Sequence, residues 1–151
     1  MESLPLFRRV VGDLLGSGYA AGFRASGRSM YPAIRDGERI IVEPVAPADV
    51  AKGDILFCET PGGLLAHRVV AVRGNGESLR FVLRGDTLRT DDGLVGPKQV
   101  LGKVVFVERR GRRIRLDGRR RRWHDTLHAK ASRIRCWARQ AMRFMQGIHI
   151  R

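Results

Sequence analysis

A chain of 151 residues with 43% hydrophobic residues can bury one substantial core, and its length gives no reason to expect a second domain of that kind. Two cysteines, Cys58 and Cys136, lie far apart in no paired spacing, which excludes a disulfide framework and a thiolate metal cluster and leaves both as expected free thiols. The formal net charge of +14 is segregated: residues 108–151 hold 15 Lys or Arg against 3 acids, whereas residues 1–107 hold 14 against 12, a near-neutral body with a phosphate-seeking tail.

Residues 4–23 come first. Arg8, Arg9, Asp13 and several glycines interrupt them, so they fall short of the roughly 18 mostly apolar residues that a spanning helix needs. No apolar stretch of secretory-signal length follows Arg8-Arg9. Leu6, Val10, Leu14 and Leu15 instead fit one face of a short helix that caps the core, and residues 1–22 are read as this helical segment.

The run Gly27-Arg28-Ser29-Met30-Tyr31-Pro32 follows. A serine hydroxyl is a poor nucleophile until a base takes its proton, so Ser29 gains meaning only if a base stands elsewhere in the fold. Gly27, Met30 and Pro32 around it are the candidate substrate-binding residues.

From Arg24 onward the pattern is that of strands. Residues 39–42, 55–58, 67–72, 79–83, 104–107 and 113–116 are short and rich in β-branched residues. Asp36-Gly37, Pro61-Gly62-Gly63 and Gly74-Asn75-Gly76 punctuate them as turns, which predicts a mainly β, antiparallel domain. His67, on one of these strands, is the candidate base for Ser29. Residues 83–93 then supply three carboxylates, Asp86, Asp91 and Asp92, any of which can orient an imidazole.

Taken in register, the Ser29 block, Gly53-Asp54, the His67 strand and the acidic block resemble the signal peptidase (S26) family of membrane-associated serine proteases. The match is to the Ser-His branch of the endoplasmic reticulum and archaea, because the Ser-Lys branch carries lysine where this chain has His67. The resemblance covers residues 23–116. It implies a coiled antiparallel β fold with a shallow groove, and an extended peptide or preprotein substrate with small residues before the scissile bond. It also implies that Asp92 orients His67, with Asp86 in support and Asp91 a third candidate. Some relatives place a serine two residues before the nucleophile; here that position is Gly27, with Ser26 beside it. The chain departs from the family in lacking a spanning helix.

The implied chemistry is acyl transfer. His67 takes the Ser29 proton as the hydroxyl attacks a peptide carbonyl, then returns it to the leaving amine. The Ser29 backbone N–H is the first candidate donor to the oxyanion. No cofactor and no metal are needed.

Residues 123–148 have helical period. Trp123, Leu127, Ala131, Ile134, Ala138, Met142 and Met145 recur in three- and four-residue steps, while Lys130, Arg133, Arg135, Arg139 and Arg143 occupy much of the remaining circumference. Such a basic amphipathic helix either lies on an anionic membrane surface or packs back on the β domain, and residues 119–122, all arginine, favour the surface. His124 and His128 share a helix face, yet a third ligand is missing and arginines surround them, so no zinc site is expected. The expected organisation is a helical segment over 1–22, a peptidase domain over 23–116 and a basic tail over 117–151. The expected location is cytoplasmic, or peripheral on the inner membrane surface. Two rivals to the peptidase reading are a noncatalytic peptide-binding relative and a nucleic-acid-binding module that uses the arginine-rich tail.

Overall fold

Ile40 and Val42 are fully buried while Arg39, Ile41 and Glu43 are only partly covered, the period-two pattern of a strand with one face on a core. Ile55, Leu56, Phe57 and Cys58 behave differently. All four are buried in succession, as in a strand covered on both faces. A computed structural model describes residues 3–116 and accounts for both patterns. The elements are α1 (Ser3–Gly16), β1 (Ala21–Arg24), β2 (Arg39–Glu43), β3 (Ile55–Thr60), β4 (Gly63–Arg73), β5 (Arg80–Arg84), β6 (Leu94–Val95), β7 (Val100–Arg109) and β8 (Arg112–Arg115).

The strands form one antiparallel sheet in the order β1-β2-β7-β3-β4-β5-β6, with β8 paired to β7, and it curls into a half-barrel. β3 sits between β7 and β4, which places Leu56 opposite both His67 and Lys103. One core lies on the α1 side, where Phe7, Val11 and Leu15 pack with Phe23, Ile40, Phe57 and Val104. The Phe7 and Phe23 rings meet edge-on at 5.2 Å, and Phe23 and Phe57 are 4.9 Å apart. A second core, built on Leu56, Cys58, Val69, Phe81 and Leu83, fills the other face. Burial in it pushes the Cys58 thiol up to about 12, so the sulfur stays protonated and inert.

The mainly antiparallel β architecture and the short N-terminal helix agree with the sequence reading. The helix face agrees only at Leu15. Phe7, Val11 and Leu15 face inward, whereas Leu6, Val10 and Leu14 are exposed. Both sets step by four residues, so periodicity fits each of them, and the aromatic volume of Phe7 against Phe23 and Phe57 selects the inner one. The helix ends where Gly18, at φ 84°, takes the left-handed conformation that closes a C-terminus. Because its apolar stripe belongs to the same core as the β residues, α1 is packed as part of the β domain.

β1 and β6 were not expected from sequence; they have four and two residues, too few to show a period. No helix among the described residues is long and apolar enough to cross a membrane. The basic tail over 117–151, with Cys136, His124 and His128, lies outside the described residues.

Candidate active site

The excursion between β1 and β2 carries Ser29. Its base is closed where Ala25 N–H donates to Glu38 and Gly37 N–H donates to Ala25, both at 2.8 Å. Inside this loop Met30 and Ile34 are each only 4% exposed and belong to the α1-side core, so they pin the loop from beneath. Met30 is therefore corrected from a substrate-binding residue to a core anchor. A buried thioether has no surface left to meet a peptide. Gly27 and Pro32 remain exposed beside Ser29. Gly27 adopts φ 98°, a region closed to most side chains, and its N–H donates to Asp36 Oδ1 at 2.8 Å.

His67 projects from the middle of β4 and is 4% exposed. Its Nε2 lies 2.8 Å from Ser29 Oγ, and its Nδ1 meets Asp92 Oδ2 in a short hydrogen bond. A carboxylate only accepts, so the proton on the ring sits at Nδ1 and the Nε2 lone pair faces the hydroxyl. This is the tautomer that a general base requires. Asp92 reaches His67 because the connection from β5 to β6 folds back, with the Asp92 N–H donating to the Leu83 carbonyl at 2.9 Å.

The same connection braces Ser29. The Ser29 carbonyl accepts from the Thr87 N–H at 2.9 Å and from Thr87 Oγ1 at 3.1 Å. Gly85 packs so closely that a Cβ there would stand 2.8 Å from the Ser29 carbonyl oxygen and 3.0 Å from its Cβ. The Ser29 N–H makes no hydrogen bond among the described residues, which leaves it free to meet an oxyanion. Neither Thr87 nor Gly85 was singled out from sequence, although both stand in the acidic block.

The three carboxylates of that block separate completely. Asp92 binds His67. Asp86 does not touch it: both its oxygens bind Arg68, from Nε at 2.8 Å and from Nη2 at 2.7 Å. Asp86, expected in support of His67 and grouped with the catalytic residues, thus makes no direct contact with the imidazole, since the neighbouring arginine outcompetes a neutral imidazole for the charge. Arg68 also donates to the Gly53 carbonyl at 2.9 Å, and its hydrogen bonds to Asp86 raise its pKa further. Asp91 points away and lies 3.6 Å from the exposed Arg84.

Gly53-Asp54 has a physical role in this arrangement. Gly53 at φ 95° turns the chain into β3, and the buried Asp54 carboxylate accepts from the Ala51 N–H at 2.9 Å and pairs with Lys103 at 2.7 Å. Lys103 is thus held by a carboxylate and not presented to Ser29. No group of three or more metal-ligating side chains occurs among the described residues.

Ser29, His67 and Asp92 are thus joined by two hydrogen bonds in the order hydroxyl, imidazole, carboxylate, an arrangement suited to acyl transfer. The chain matches no protein-family model and no curated protein.

Proposed function

We propose that the chain is a serine endopeptidase of signal-peptidase type, which cleaves a leader or signal-like peptide by acyl transfer to Ser29. The observation that carries the reading is the 2.8 Å contact of Ser29 Oγ with His67 Nε2, while Asp92 occupies the other ring nitrogen. His67 takes the hydroxyl proton during attack and delivers it to the leaving amine, and Asp92 stabilises the imidazolium formed between the two steps. The free Ser29 N–H supplies one donor to the oxyanion. Gly27 cannot be the second, because its N–H is already given to Asp36.

The sheet's topology supports an extended substrate. β1 and β6 end the strand path, β1 runs directly into the Ser29 loop, and β6 follows directly after Asp92. A peptide strand added at either edge lies beside the catalytic groups and gains main-chain hydrogen bonds. The likeness to the Ser-His branch of signal peptidases rests on this curled antiparallel sheet together with the order serine, histidine, aspartate. The arginine-rich tail supports a place at an anionic membrane surface, and the inner surface is the proposed location.

The test is cleavage of a peptide library by the full chain, with Ser29→Ala as control. Wild type is expected to cut and to accumulate an acyl-enzyme with a slow ester substrate, and Ser29→Ala to do neither. Peptide binding without cleavage by wild type overturns the enzyme in favour of the noncatalytic relative.

A further inference from the structure

A cleft of about 650 Å³ opens where none of Ser29, His67 and Asp92 contributes to its walls. Strand register sets Arg39, Glu108 and Arg113 in one row across β2, β7 and β8, and this row forms its floor. Six arginines line it, Arg24, Arg35, Arg39, Arg109, Arg110 and Arg113, against three carboxylates. Each carboxylate is already engaged. Glu38 binds Arg109 through both oxygens, Glu108 binds Arg39 at 3.1 Å and Arg113 at 3.0 Å, and Asp36 accepts the Gly27 N–H.

The surplus is therefore cationic. Neither Arg35 nor Arg110 closes an ion pair through its guanidinium among the described residues, although the Arg35 charge helps hold the Glu38 carboxyl low, and Arg24 donates to the Gly37 carbonyl at 2.9 Å. Arg39 lies across Gly22, where a Cβ would stand 2.6 Å from its Nη2, and its buried Nε has no acceptor. Like charges around one concavity repel, and an incoming anion relieves that repulsion. Guanidinium forks match the oxygens of phosphate.

The surroundings narrow the source of that phosphate. Tyr31 is 53% exposed, with Arg35 5.9 Å above its ring. An exposed aromatic ring beside a cationic hollow suits a membrane interface, where rings enter the headgroup layer and arginines meet phosphates. The positive charge also continues in sequence from β8 into the four arginines at 119–122. We infer that this cleft receives the phosphate of an anionic lipid headgroup and seats the β2-β7-β8 face on the membrane. Arg109 also donates to the Pro32 and Ala33 carbonyls at 3.2 Å, so the bound headgroup abuts the loop that carries Ser29.

Hydrogen–deuterium exchange on the full chain tests this with phosphatidylglycerol vesicles, phosphatidylcholine vesicles, soluble glycerol phosphate and duplex RNA. Phosphatidylglycerol vesicles are expected to slow exchange over residues 35–39 and 108–113, and phosphatidylcholine vesicles to leave it unchanged. Arg35→Gln combined with Arg110→Gln, both exposed, should abolish that protection and weaken vesicle binding roughly twentyfold. Arg73→Gln combined with Arg80→Gln should change neither. Unchanged protection in the Arg35/Arg110 variant overturns the site, as does vesicle binding by wild type without protection of the cleft. Stronger protection by glycerol phosphate than by vesicles replaces the lipid with a soluble phosphate, and stronger protection by RNA replaces it with a nucleic acid; either result overturns the inference. Ser29→Ala should bind vesicles as wild type does, so failure of the peptidase reading leaves this result interpretable.

Discussion

Arg68 and Asp86 form a two-pronged ion pair, at 2.8 and 2.7 Å, one residue along β4 from His67. The pair fastens the strand of the base to the loop that braces the nucleophile, because Gly85 and Thr87 on either side of Asp86 touch Ser29. Asp86→Asn should therefore act on alignment and stability. Urea unfolding should show a loss of about 1 to 3 kcal/mol, and kcat should fall less than tenfold with an unchanged pH profile. A loss of activity as large as that of Asp92→Asn, with normal stability, would show that Asp86 takes part in the chemistry.

Ser29→Ala and His67→Ala should each lower kcat by about six orders of magnitude, and the double variant should be no worse, because the pair acts as a unit. Single-turnover cleavage of a library-derived peptide measures all three. Additive losses would mean that the 2.8 Å contact is not used in catalysis.

Asp92→Asn removes the acceptor for the Nδ1 proton and favours the wrong tautomer, so kcat should drop by about four orders of magnitude. Asp91→Asn should be nearly silent, since that carboxylate is exposed and only approaches Arg84 at 3.6 Å. Comparable losses at both positions, with circular dichroism unchanged, would refute the assignment of Asp92.

Gly85→Ala tests the fit of the brace. A methyl group at this site meets the Ser29 carbonyl oxygen at 2.8 Å, so either Ser29 or the loop must move. Displacement of a reacting group by about 1 Å can cost on the order of a hundredfold. The expected outcome is a loss of that size in kcat with KM little changed; full activity would show that the loop is not packed on the nucleophile.

Glu38 ties the other end of the Ser29 loop. Its hydrogen bond from the Arg109 side chain holds its pKa below the usual 4.5, against the opposing effect of burial. A carboxylate with a folded pKa below its unfolded one stabilises the protein above the unfolded value and loses that contribution as pH falls through the folded value. Glu38→Gln should thus cost about 1 to 3 kcal/mol at pH 7. The difference from wild type should shrink as pH drops below about 4. Urea titrations across that range decide it, and a difference constant with pH would exclude the ion pair as its source.

Sequence alone determined the strand class of residues 39–116 and singled out Ser29, His67 and an acidic block holding Asp86, Asp91 and Asp92, because local signals suffice there. β-branched runs between turn residues mark strands, and a serine, a strand histidine and an acidic block appear in order. Tertiary structure decided whatever depends on a partner distant in the chain. Leu6 or Phe7 as the inward residue of α1 is a choice between two stripes of equal period, and Phe23 and Phe57 make it. Met30 reads as a substrate contact beside Ser29 until the loop folds over the core. Asp86, Asp91 and Asp92 are equivalent as letters, and they part only when Arg68, Arg84 and His67 come within reach of different ones. The arginine cleft was equally hidden. Its cations come from β1, the loop before β2, β2 itself and the β7-β8 hairpin, and only the sheet's register brings them together.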